Sequence, residues 1–157
     1  MKKIKICAIV GITCLLLCSS ECSSNLGHYD ISIHNNANHH IDVLISFGDP
    51  LYPDTLLPDR FYGRLNPIPP GRASYGRGGR VRSYKQFIQS YGSDTIIIFI
   101  FHTDTIEKYT WDEIREGYKI LKRYDISWQE MEQLNGRIFY PPTEAMRNIR
   151  QYPPFGQ

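Results

Sequence analysis

His39, His40 and Asp42 lie within four residues of each other, and His102 and Asp104 form a second short His/Asp set. These are the residues best suited to hold a metal. In a strand, residues two apart share a face, so His40 and Asp42 could meet. A zinc site needs three or four convergent ligands, however, and the bland alternative is a set of exposed turn and strand-end side chains. The sequence therefore assigns no metal and no cofactor. A second set is basic. Arg60, Arg64, Arg72, Arg77, Arg80, Arg82 and Lys85 follow one another with no acidic residue between positions 60 and 85. Tyr62, Tyr75 and Tyr84 are interleaved with them. Arginine and tyrosine in this mixture suit an anionic glycan or a partner protein. The alternative is internal pairing, because residues 94–132 carry nine acids against five bases.

Covalent catalysis has little to work with. All four cysteines, Cys7, Cys14, Cys18 and Cys22, precede residue 23. No Gly-x-Ser-x-Gly elbow, P-loop or Gly-x-Gly-x-x-Gly turn occurs. The neighbouring acids Asp112 and Glu113, and Glu130 and Glu132, are explained by helix starts, where negative charge offsets the backbone dipole. The leading expectation is a non-enzymatic module. It would bind a glycan or partner protein through the segment 48–85, with Tyr62, Arg72, Tyr75, Arg77, Arg80 and Arg82 as the contact residues. The competing expectation is a metal- or carboxylate-dependent hydrolase built from scattered residues.

The leader carries a different chemistry. Lys2, Lys3 and Lys5 precede the apolar run Ile6 to Leu17, and Ser19-Ser20-Glu21 turns polar at once. About a dozen apolar residues are too few for a bilayer core, which takes roughly 20. The segment therefore reads as a secretion signal over 1–17, followed by a tether over 18–25. It resembles a lipoprotein signal. The expected lipid attachment is Cys18, where the apolar run ends and the polar stretch begins. Leu17 is bulkier than the small residue such signals place before the modified cysteine. Cys22, or plain cleavage near Ser20 without lipid, are the alternatives. Two or more acyl chains on one cysteine hold a protein durably to a membrane. The implied address is the bacterial cell envelope, lipid-anchored at the outer membrane.

Charge agrees with this division. The chain has 18 Lys+Arg against 16 Asp+Glu, and removing 1–17 takes away three lysines to leave 15 against 16. A near-neutral remainder argues against a nucleic-acid binder, which usually carries a strong basic excess. About 130 residues suffice for one ordinary domain and are too few for two. With no cysteine after position 22, that domain must be held by its core.

The elements follow from periodicity. Tyr29, Ile31 and Ile33, then Ile41, Val43, Ile45 and Phe47, alternate with polar residues and predict strands. The Asn35-Asn36-Ala37-Asn38 stretch between them predicts a β-hairpin. Prolines 50, 53, 58, 67, 69 and 70 make 48–71 a surface excursion, into which Phe61, Tyr62 and Leu65 could bring core contacts. Ala73 to Tyr75 suits a short edge strand, and Gly76 to Arg82 a flexible loop. Tyr84, Phe87, Ile88 and Tyr91 have helical spacing. Thr95-Ile-Ile-Ile-Phe-Ile-Phe101 is apolar without alternation, which predicts a central strand buried on both faces. Thr110-Trp-Asp-Glu113 and Ser127-Trp-Gln-Glu130 match the capping box and predict short helices near 111–117 and 128–134. Tyr118 to Ile126 suits a strand or a helix end. Arg137 to Tyr140 suits a last strand, stopped by Pro141-Pro142. Trp111 and Trp128 are expected in the core. The expected fold is one mainly-β, sandwich-like domain over 26–141 with two short helices and a C-terminal tail over 142–157. The alternative is an α+β two-layer arrangement.

From Ile98 to Tyr140 the chain resembles a group of short lipoproteins of gut Bacteroidetes. The residues that carry the likeness are Asp104-Thr105, Trp111-Asp-Glu-Ile114, Tyr118-Lys-Ile-Leu-Lys-Arg-Tyr124, Ser127, Leu134-Asn135 and Tyr140-Pro141. Asn36, Asn38, Ile41, Tyr52-Pro-Asp-Thr55 and Pro70-Gly71 extend it upstream. That group has no assigned activity. The resemblance implies an envelope address and a shared fold, and it carries over no catalytic residue.

Overall fold

The computed structural model of the chain describes residues 27–47, 56–60 and 66–157, with the side chains of 27, 28 and 77–80 left aside. Among the described residues, seven strands form two sheets, and four six-residue helices accompany them. The strands are β1 (Gly27–Asn35), β2 (Ile41–Phe47), β3 (Ala73–Val81), β4 (Thr95–His102), β5 (Lys122–Ser127), β6 (Arg137–Tyr140) and β7 (Arg150–Tyr152). The helices are α1 (Tyr84–Gln89), α2 (Thr103–Lys108), α3 (Trp111–Glu116) and α4 (Trp128–Gln133). The three-stranded sheet runs β3-β1-β6 and the four-stranded sheet β2-β4-β5-β7. The domain is therefore mainly β, as the strand pattern implies.

One core lies between the sheets. Ile31 and Ile33 of β1 and Ile138 of β6 meet Val43, Ile45, Ile96, Ile98, Ile100, Tyr124 and Ile126 of the larger sheet. Burying each such aliphatic side chain contributes about 1.5–3 kcal/mol. The other face of the larger sheet is also covered. Leu44, Ile97, Phe99 and Phe101 pack under Leu57 and under Ile114 of α3. This second layer explains why β4 reads as an unbroken apolar run: its even-numbered isoleucines face one core, and Ile97, Phe99 and Phe101 face the other.

Both capping boxes form. At α3, Glu113 Oε2 accepts from the Thr110 backbone N–H at 2.8 Å, and Thr110 Oγ1 accepts from the Glu113 N–H at 3.4 Å. At α4, Glu130 Oε2 accepts from the Ser127 N–H at 2.8 Å, and Ser127 Oγ accepts from the Glu130 N–H at 3.3 Å. Trp111 donates its indole N–H to the Pro58 carbonyl at 3.1 Å and meets Phe101 edge-on. Trp128 packs against the main core with the Lys85 ammonium 5.0 Å over its ring. Helix α1 follows the spacing of Tyr84, Phe87 and Ile88, all buried, and starts at Ser83, whose hydroxyl accepts from the Gln86 N–H at 3.1 Å. Helix α2 has no counterpart in the sequence reading.

Three local expectations change. First, β1 and β2 do not form a hairpin; they lie in different sheets. β1 pairs antiparallel with β3 and parallel with β6, and β2 pairs with β4. Asn35 turns the chain from one sheet to the other. Its amide donates to the His39 carbonyl at 2.7 Å and to the Ile68 carbonyl at 2.8 Å, and its side-chain oxygen accepts from the Ala37 N–H at 3.0 Å. Alternation announces a strand but does not name its partner.

Second, Gly76 to Arg82 is not a loop. It continues β3 to Val81 at the edge of the smaller sheet. The glycines serve a bulge: between the pairs Tyr29↔Gly79 and Ile31↔Gly76, the single residue Asp30 faces both Arg77 and Gly78. Gly76 is buried, and a Cβ there would come within 3.4 Å of Ile45 Cδ1 across the sheets.

Third, the segment after residue 141 is built into the fold. Met146 and Ile149 are in the main core, and β7 pairs with β5. Within the excursion, Ile68 bridges to Ile41 and Leu57 is buried. Phe61, Tyr62 and Leu65 lie outside the described residues.

Candidate functional site

The Arg/Tyr set maps largely onto one sheet edge. Pro69-Pro70-Gly71 turns the chain into β3, with Gly71 at φ +69° and the Arg72 N–H donating to the Pro69 carbonyl at 3.2 Å. The Gly71 N–H and the Arg72 carbonyl then bond the two backbone groups of Asn35, which fixes where β3 begins. Arg72 is exposed, and Tyr75 is 70% exposed, the most exposed of the large apolar side chains among the described residues. Arg77 and Arg80 occupy β3, with Arg80 opposite His28. Arg82 is exposed just past the strand, and its N–H donates to Gln86 Oε1 at 2.9 Å. Tyr62 lies outside the described residues.

The arrangement is a stripe and not a pocket. Ten residues of extended chain at about 3.3 Å each separate Arg72 from Arg82 by roughly 30 Å. Screening at physiological salt acts over about 8 Å, so no compact ligand feels both ends. An extended ligand does.

Internal neutralisation is not seen at those two arginines: among the described residues, Arg72 and Arg82 take part in no ion pair. Ion pairs among the described residues form at other arginines. Arg115 bonds Asp59 and reaches Asp112 at 3.8 Å, and Arg147 bonds Glu144.

Of the two His/Asp sets, His102 and Asp104 stay together while His40 and Asp42 come apart. His39 and His102 stack, with ring centroids 4.6 Å apart, and Tyr140 meets His39 edge-on. His39 Nδ1 lies 3.2 Å from Asn38 Oδ1. His102 caps α2, its Nδ1 accepting from the Asp104 N–H at 3.2 Å, with Asp104 Oδ2 at 3.7 Å. His40 is exposed while Asp42 is fully buried, so that pair does not meet at the surface. Among the described residues, no group of three or more His, Cys, Asp or Glu could hold a metal ion. Burial and the neighbouring His102 lower the pKa of His39. His34 is lowered by burial and by Arg137. The carboxylates of Glu113 and Glu130 are committed to the two capping boxes.

One charged cluster escaped the sequence reading. On β5, Arg123 and Asp125 are 1% and 6% exposed and form a two-point pair, Nε to Oδ1 at 2.6 Å and Nη2 to Oδ2 at 3.0 Å. Arg123 lies over the Phe99 ring, and Arg150 Nε reaches Asp125 Oδ2 at 3.5 Å. Asp125 borders a cavity of about 220 Å³ with Thr95, Ser127, Glu130 and Arg150. The sequence signal was a pair of opposite charges at alternate positions, Arg123 and Asp125, on either side of Tyr124. Beside them, Lys122 is buried and donates to the Pro153 and Pro154 carbonyls at 2.5 and 3.1 Å, and burial lowers its pKa. These contacts fasten the C-terminal segment to the sheet.

Comparison with known proteins yields no relative: no family model, no curated protein and no solved structure matches the chain.

Proposed function

We propose that this chain is an exported, lipid-anchored envelope module that binds an anionic glycan or a partner protein through β3 and its flanks, without catalysing a reaction. The observation that carries the binding half is the exposure of Tyr75 between Arg72 and Arg82 on a sheet edge. An aromatic side chain among cations supplies stacking area and charge to one extended ligand. The sheet holds these residues in fixed order along its edge. The basic leader, the apolar run and Cys18 support the address.

Each half has its own test. Cys18→Ala should release the protein from the membrane fraction or leave the leader uncut; if Cys22→Ala alone has that effect, the attachment site is Cys22. On an array of anionic glycans, the intact protein should bind and Arg77→Glu/Arg80→Glu/Arg82→Glu should not, at an unchanged melting temperature. Loss of stability with no binding by either form would return the arginines to a structural role.

A further inference from the structure

Phe47, the last residue of β2, meets Phe87 of α1 and Tyr91 just after it in a three-ring cluster. Tyr91 stacks on Phe47, with centroids 4.3 Å apart and planes 23° from parallel. Phe87 meets Tyr91 edge-on at 5.6 Å and Phe47 edge-on at 5.7 Å. Phe87 is 3% exposed and belongs to the core, whereas Tyr91 is 49% exposed. One face of the Tyr91 ring is thus covered and its position is set from two sides. The exposed remainder is a rigid aromatic surface.

Polar groups stand beside it. Flanking Tyr91 in the same turn, Gln89, Gly92, Ser93 and Asp94 line a shallow depression of about 290 Å³. Gln89 Nε2 donates to Asp94 Oδ1 at 2.7 Å. That bond orients the amide and the carboxylate and leaves Asp94 Oδ2 and Gln89 Oε1 as acceptors. The Ser93 hydroxyl is occupied by the Thr95 carbonyl at 2.9 Å and the Thr95 N–H at 3.1 Å. Gly92, at φ +80°, adds no side chain to the space, and a Cβ there would touch nothing within 4 Å.

We propose that the Tyr91 turn is a binding site for a neutral pyranose ring. A pyranose has an apolar C–H face and a rim of hydroxyl donors. The C–H face suits the Tyr91 ring, and the rim suits the acceptors of Asp94 and Gln89. At about 290 Å³ the depression lies just below the roughly 300–1,000 Å³ range of small-ligand sites, room for one ring only. The Asp94 charge disfavours acidic sugars. This site goes beyond the arginine stripe and uses none of its residues. At ordinary ligand efficiency a single ring binds with a Kd on the order of 1 mM.

Saturation-transfer NMR with methyl β-glucopyranoside, methyl β-galactopyranoside and N-acetylglucosamine tests it on the intact protein. The expected result is transfer to the ring C–H protons of at least one sugar, unchanged by salt. Asp94→Ala and Tyr91→Ala should each weaken binding about tenfold or more, and Tyr91→Phe should keep most of it. Arg72→Glu/Arg82→Glu should leave the transfer intact, which separates this site from the stripe. No transfer from any of the three sugars would overturn the proposal. Equal transfer from a folded Asp94→Ala protein would overturn it too.

Discussion

Breaking the Arg123–Asp125 pair is the sharpest test of how the larger sheet is held. The guanidinium is 1% exposed and the carboxylate 6%, and the two share a two-point hydrogen bond. Removing one partner leaves the other charge buried without its main counter-ion, which costs about 3–5 kcal/mol. Domains of this size are stable by about 5–15 kcal/mol, so Asp125→Ala should bring the protein close to unfolding. At about 3–5 °C per kcal/mol the melting temperature should fall by roughly 10–20 °C. Replacing both partners by apolar residues removes both desolvation costs. Arg123→Met/Asp125→Leu should therefore recover most of the loss, because Phe99 already supplies an apolar wall on that face. Arg150, which reaches the same carboxylate from an exposed position, should matter far less; Arg150→Ala should cost no more than about 1 kcal/mol. Urea titration of the unaltered protein, Arg123→Met, Asp125→Leu and the double variant, followed by far-UV circular dichroism, gives all four free energies of the cycle and the coupling between the pair. A loss below about 1 kcal/mol for Asp125→Ala would refute the reasoning, as would a double variant worse than the sum of the singles.

Three further outcomes are expected. His34 and His39 both have pKa values lowered by burial, so the folded state binds fewer protons than the unfolded chain; stability present above the ordinary histidine value of about 6.5 should be lost as pH falls through it, read as a melting temperature that declines from pH 8 to 5 and declines less in His39→Gln. Gly136 has φ +69°, and a Cβ there would run into the Tyr84 hydroxyl and the Asp30 carbonyl, which are bonded to each other at 3.0 Å; Gly136→Ala should cost about 2 kcal/mol or more by calorimetry, while Gly71→Ala, with the same φ and open space, should cost only about 1–2 kcal/mol. Ser127→Ala and Thr110→Ala each remove a cap hydrogen bond and should cost about 1 kcal/mol apiece in denaturant titration.

The elements that announce themselves by local chemistry were readable from the sequence. The capping boxes at Thr110 and Ser127 place two helices because the hydroxyl and carboxylate act within four residues. The isoleucine run of β4 is readable because burial on both faces removes alternation. What could not be read was pairing at long range. Nothing in the Asn35 turn says that β1 will take β6, more than 100 residues later, and not β2 as its neighbour. The glycines of β3 resemble a loop until their bulge and the approach of Ile45 to Gly76 are known. In the sequence Arg123 and Asp125 are one basic and one acidic residue among the charges of 94–132; their burial follows from the pairing of β5 between β4 and β7 and from the Phe99 ring against Arg123. For the candidate site, the exposure of Arg72, Tyr75 and Arg82 follows the reading of 48–85 as a recognition segment. The edge strand that aligns them was readable over Ala73 to Tyr75, and its continuation through the glycines to Val81 was not.

The proposal that β3 is a recognition edge is tested most directly by titrating the intact protein with heparin, a flexible polyanion, at rising salt. The proposed edge predicts binding at low ionic strength that weakens steadily as the screening length falls from about 8 Å at 0.15 M to about 3 Å at 1 M. It predicts that Arg72→Glu/Tyr75→Ala/Arg82→Glu abolishes binding at an unchanged melting temperature. Heparin binding of equal strength by the folded triple variant, or none by the unaltered protein at low salt, would contradict it.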